Sequence, residues 1–165
     1  MKTQNKKGYS IVEIMVYLAI FTALSILVIN SFLVILSSFN TTNMNRKLLE
    51  SGVVSMERIS REIRQAKSVD ASSTQTILVL NSHDNLGVAM TIKFINENGE
   101  LNLYKDNTLQ GNLLGDNLSV TNLMFSRITT TESEAVKIKI TLQYSGEHKT
   151  KSENFYNTIV LRGGY

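Results

Sequence analysis

The chain has 165 residues with neither cysteine nor proline, so no disulfide or thiol site is available and nothing breaks a helix outright. Its formal charge of +3 comes from 17 basic and 14 acidic side chains. That excess equals the three lysines Lys2, Lys6 and Lys7 that precede Gly8; without them the two counts are 14 and 14.

After the lysines come Gly8-Tyr9-Ser10-Ile11-Val12-Glu13, and from Ile14 to Asn45 no residue is charged. Ile14 to Leu36 is a run of 23 mostly apolar residues, and a helix needs roughly 20 to cross a bilayer core. Thr22, Ser25, Asn30 and Ser31 interrupt the run with uncharged groups only, which bond to the helix backbone or to a neighbouring helix. The lysines place residues 1–8 in the cytoplasm by the positive-inside rule, and the chain from about Phe39 onward outside it. A secretory signal peptide has an apolar segment of about 7–15 residues and a small-x-small cleavage site. Here the run is longer, Ser37-Ser38-Phe39-Asn40 offers no such site, and Glu13 stands between the basic and apolar segments. A carboxylate at the edge of a membrane-length segment is costly and marks a function by default; the plainer reading is a glutamate that snorkels to the interface.

Between Met44 and Lys67 the apolar residues Met44, Leu48, Leu49, Val53, Met56, Ile59, Ile63 and Ala66 recur every three or four positions. This is the stripe of an amphipathic helix with one face buried. Arg46, Lys47, Glu50, Glu57, Arg58, Arg61, Glu62, Arg64 and Lys67 fill the other face, with Glu57–Arg61 and Arg58–Glu62 spaced for ion pairs. Alternating signs favour a solvated face over a nucleic-acid patch. One helix is therefore predicted from Ser10 to about Lys67, any bend falling at Asn30-Ser31 or Gly52.

From about Val69 the chain reads as strands: Ile77–Leu80, Val88–Ile95, Leu101–Lys105, Leu118–Ile128, Val136–Tyr144 and Phe155–Leu161. Asn-, Asp- and Gly-rich segments separate them, and Asp106–Asn117 reads as loop. Val136 to Leu142 alternates apolar and polar residues, as in a sheet with one buried face. A head of residues 68–165 cannot hold a large core alone, so the sheet is expected to pack on the helix stripe.

No catalytic constellation is present. His83 and His148 stand alone in polar segments, short of the converging ligands that zinc requires. Asp84-Asn85, Asp106-Asn107 and Asp116-Asn117 fit no EF-hand loop and are explained by turn chemistry. Asn40-Thr41-Thr42 and Asn117-Leu118-Ser119 match a short glycosylation pattern that often occurs by chance. No cofactor, metal or enzymatic activity is expected.

The segment Lys7-Gly8-Tyr9-Ser10-Ile11-Val12-Glu13 with its apolar run resembles the processing and methylation motif of type IV prepilins and type II secretion pseudopilins. The likeness is specific over residues 6–36 and weaker beyond. Met56 to Ala66 and Asn157 to Arg162 are similar to J-type minor pseudopilins and minor pilins. The resemblance implies cleavage by prepilin peptidase between Gly8 and Tyr9, methylation of the new Tyr9 amine, and a role for Glu13 in assembly. Tyr9 departs mildly from the family's usual Phe, and the kinking proline of many pilins is absent. The implied fold is α+β, a long N-terminal helix packed on an antiparallel β-sheet head. Its parts would be a leader (1–8), a transmembrane half-helix (9–38), an amphipathic extracytoplasmic half (39–67) and the head (68–165). The implied place is the inner membrane, crossed once with the N-terminus cytoplasmic, and then a filament. Implied partners are the peptidase, other pilin or pseudopilin subunits, the inner-membrane assembly platform and membrane lipid. Such filaments serve secretion, adhesion, motility or DNA uptake, and no residue pattern here supports a DNA site. The other reading is a single-pass membrane protein with a small extracytoplasmic binding domain that does not polymerise; cleavage after Gly8 separates the two.

Overall fold

The computed structural model describes residues 10–84, 86–130, 133–146 and 149–162. It contains one helix, α1 (Ile11–Gln65), and then strands only. The chain divides into two compact units, Met1–Thr42 and Asn43–Tyr165, and α1 contributes to both.

Ser10 occupies the N-cap position of α1, its carbonyl accepting the first helical bond from the Ile14 N–H at 3.2 Å. In the first unit every large apolar side chain from Ile11 to Phe39 is exposed. A helix apolar all round either fills the core of a large protein or spans a membrane. Among the described residues nothing in this unit covers the surface, and the helix is long and apolar enough to cross a bilayer, as in a single-pass membrane protein. The hydroxyls that interrupt it fold back on the helix: Thr22 donates to the Leu18 and Ala19 carbonyls, Ser25 to Phe21, Thr41 to Ser37 and Thr42 to Ser38, at 2.8–3.0 Å. Their polar groups are satisfied without a partner helix. α1 passes Asn30-Ser31 and Gly52 without interruption.

In the second unit the helix packs on an antiparallel head, an α+β fold as the sequence leads one to expect. The buried helical residues are Met44, Leu48, Gly52, Ser55, Met56, Ile59, Ser60, Glu62 and Ile63. Two corrections to the predicted stripe follow. Leu49 and Val53 are exposed, and Gly52 and Ser55 take the inward positions. Glu62, assigned to the solvated face, is buried.

Strands β1 (Ser68–Val69), β2 (Ile77–His83), β3 (Ala89–Glu97), β4 (Glu100–Lys105) and β5 (Thr108–Asn112) form a five-stranded antiparallel sheet in sequence order. Strands β6 (Leu118–Thr129), β7 (Glu134–Ser145) and β8 (Thr150–Val160) form a second, three-stranded one. The expected loop Asp106–Asn117 thus contains a strand, β5. Asp106 and Asn107 both have positive φ (46° and 62°) between the paired Lys105 and Thr108, the requirement of a two-residue hairpin turn. Asn98 and Gly99 (55° and 85°) do the same between β3 and β4. β8 also begins five residues before the predicted Phe155.

The core joins Met56, Ile59 and Ile63 of α1 and Ala66 just past its end to Leu78, Leu80, Ile92, Phe94, Leu101 and Leu103 of the first sheet, and to the second sheet. On β7 the alternating Val136, Ile138, Ile140 and Leu142 are each almost fully buried. Each contributes on the order of 1.5–3 kcal/mol of burial free energy, an upper figure because unfolded chains already bury part of their apolar surface.

Candidate functional site

Glu13 lies in the first turn of α1, where the unsatisfied N–H groups favour a carboxylate. Ser10 and Glu13 have the spacing of a capping box, in which the glutamate would reach back to the N-cap N–H. The carboxylate instead accepts a hydrogen bond from the Tyr17 hydroxyl, one turn further on, to Oε1 at 3.1 Å. Helical side chains lean toward the N-terminus, so a long residue at i+4 overlies residue i. Tyr17 is therefore directed onto Glu13 by its position in the helix. Gly8 and Tyr9, the implied cleavage and methylation positions, lie outside the described residues, so only Glu13 of the three predicted residues has a described setting. Tyr17 was not anticipated; the i, i+4 spacing to the sole acidic residue of the segment was the available signal.

The second unit holds polar clusters of a different kind. Glu62 Oε1 meets Arg58 Nη2 at 2.8 Å and Lys105 Nζ at 3.8 Å, linking α1 to the end of β4. Arg58 Nε is buried without a hydrogen-bond partner and borders a cleft of about 400 Å³ lined by Ser55, Leu103, Gln110 and Leu113 among others. Glu134 Oε2 accepts the Val69 N–H at 3.0 Å and its Oε1 pairs with Arg127, so β7 is tied to β1 and β6. Burial pushes the Glu134 carboxyl up, but these two partners outweigh it and hold it below the usual carboxylate range. Glu97 Oε2 accepts from the Tyr104 hydroxyl at 2.7 Å and from Asn102 Nδ2 at 3.1 Å. The Tyr104 bond foremost, then Asn102, lowers the Glu97 carboxyl, while the same bond raises the Tyr104 phenol. Lys93 Nζ stands 4.5 Å from the Tyr104 ring centroid, so the cluster is a staple across β3 and β4.

Two of the aspartates weighed for calcium bond backbone N–H groups, Asp84 within its own turn and Asp106 across to β3. Asp84 Oδ1 accepts the Leu86 and Val88 N–H groups at 2.8 Å, and Asp106 Oδ1 accepts the Thr91 N–H at 2.8 Å. Ser72 foremost, by side chain and backbone, and then Asn81 hold the Asp70 carboxyl below its ordinary range. Among the described residues no three His, Asp or Glu side chains converge as a metal site would need. His83 ends β2 exposed, and His148 and Asn85 lie outside the described residues.

Comparison with protein-family models, curated proteins and solved structures finds no match for this chain.

Proposed function

We propose that the chain is a structural subunit, a minor pilin or pseudopilin, of a type IV pilus or type II secretion-like filament. Prepilin peptidase cuts between Gly8 and Tyr9 and methylates the Tyr9 amine. The observation that carries the reading is Glu13. It is the sole charged side chain between Gly8 and Asn45, at the start of a helix whose apolar surface is exposed on every side.

Cleavage removes Lys2, Lys6 and Lys7 and creates an amine four residues from Glu13. A carboxylate at the membrane edge is costly to desolvate and gains most from an opposite charge in the same low-dielectric setting. Pairing with the Tyr9 amine of an adjacent subunit draws the helix out of the bilayer and into the filament. The subunit waits in the inner membrane, N-terminus inward, and is taken up by the assembly platform. Its role is structural rather than enzymatic. Replacing Glu13 by Ala should abolish incorporation into sheared filaments while leaving the protein in the membrane; incorporation at the wild-type level would overturn the role of Glu13.

A further inference from the structure

We infer that Tyr17 is a positioning residue for Glu13: its phenol holds one carboxylate oxygen in the lone subunit and leaves the other for the neighbouring amine. The inference rests on the filament-subunit reading above. The Tyr17 hydroxyl donates to Glu13 Oε1 at 3.1 Å, and Oε2 has no hydrogen-bond partner among the described residues.

Three features of the helix make this bond specific. Tyr17 is the one tyrosine within the apolar run, and the i+4 geometry leans its ring back over the Glu13 turn. The hydroxyls of Thr22 and Ser25 are spent on backbone carbonyls of their own turns and do not serve Glu13. A phenolic hydroxyl is a donor that, unlike an ammonium or guanidinium, brings no positive charge to compete with an incoming amine. Tyrosine suits this depth, its ring in the apolar zone and its hydroxyl toward the interface. One bond fixes the carboxylate rotamer before assembly, so less freedom is lost when the amine arrives. Because the amine takes Oε2, the Tyr17 bond persists in the filament.

The test uses the full-length chain and two readouts. In phosphatidylethanolamine–phosphatidylglycerol vesicles, with glutamate carboxyls labelled with carbon-13, the infrared spectrum minus that of Glu13→Gln isolates the Glu13 band. Tyr17→Phe keeps the ring and removes only the donor, and it should shift that band. In cells with the assembly machinery, Tyr17→Phe should lower incorporation into filaments roughly two- to tenfold, the cost of immobilising one freed carboxylate side chain on assembly. An unshifted band, or a shifted band with wild-type incorporation, would overturn the inference, since a ring serving only to pack survives as Phe. Wild-type incorporation of Glu13→Gln would overturn the assembly role of Glu13 and the inference with it. Absence of the wild-type chain from filaments would instead sink the filament reading, with the vesicle spectrum still reporting on the Tyr17–Glu13 bond.

Discussion

The ring of Phe155 on β8 lies over Gly52 of α1, so close that a methyl group on that glycine would stand 2.5 Å from both Cε atoms. The missing side chain lets the strand approach the helix. Neighbouring bonds follow the same line: Lys151 Nζ donates to Asn45 Oδ1 at 2.8 Å and Asn157 Nδ2 to Ser60 Oγ at 3.1 Å. On the other flank the Ser55 hydroxyl donates to the Leu113 carbonyl at 3.0 Å and the Gly115 N–H to Ser51 Oγ at 3.3 Å. Small residues along one face of the helix thus seat it between β8 and the 113–115 segment.

Gly52→Ala therefore sets two effects against each other. Alanine gains up to about 1 kcal/mol in an exposed helix, whereas overpacking a filled site costs typically 1–3 kcal/mol. The clash with an aromatic ring wins, and the variant should be destabilised by about 1–2 kcal/mol on balance. Urea unfolding of the detergent-solubilised chain measures this, and adding Phe155→Leu should recover most of the loss. A more stable Gly52→Ala would mean that the ring moves aside freely.

Glu62 gives a second contrast. Its removal leaves Arg58 and Lys105 without their shared carboxylate at a buried position. Breaking a fully buried pair costs about 3–5 kcal/mol; both cations here keep roughly a third of their side chains in solvent, so Glu62→Ala should cost about 2 kcal/mol. Glu57→Ala, on the exposed face of the same helix, should change stability by less than about 0.5 kcal/mol. Equal losses in the two unfolding curves would contradict the placement of Glu62.

Acid sensitivity follows from three lowered carboxyls, Asp70, Glu97 and Glu134. A group whose folded pKa is depressed contributes stability that is present above its unfolded pKa and lost as pH falls through the folded value. Head stability should then be flat near neutrality and decline below about pH 4, the ordinary carboxylate range. Tyr104→Phe removes the foremost partner of Glu97, so its acid limb should be shallower than that of the wild type. Parallel limbs in pH-dependent unfolding would assign the acid loss to the other two carboxyls.

Much of this architecture is legible in the sequence, and the failures share physical causes. The first half of the helix is given by the length of its apolar run. Hydrophobic period gives the second half and the alternating β7, because one buried face imposes its spacing on the side chains. The same rule favoured Leu49 and Val53 over their neighbours Gly52 and Ser55, since it rewards apolar size. Here the inward position needs room for Phe155, contributed by a strand about a hundred residues away in sequence, and a period cannot register that. The Arg58–Glu62 pair is legible from its i, i+4 spacing, but the burial of Glu62 is not, because Lys105, its second partner on β4, is remote in sequence. β5 has the sequence of a loop because Asp106-Asn107 and Gly111 are turn formers, and an edge strand of polar residues carries little periodic signal. At the membrane end Glu13 stands out by its charge and its place in the motif, whereas a hydropathy pattern does not set Tyr17 apart from its apolar neighbours.

Processing at Gly8–Tyr9 is the central claim, and the mature N-terminus tests it most directly. Intact mass and terminal peptide sequencing of the membrane-extracted protein, from cells with an active prepilin peptidase, should find a chain that starts at Tyr9 with a methylated amine. A chain that still carries Met1 to Gly8 under those conditions would contradict the account. The protein would then be a membrane-anchored domain that does not polymerise.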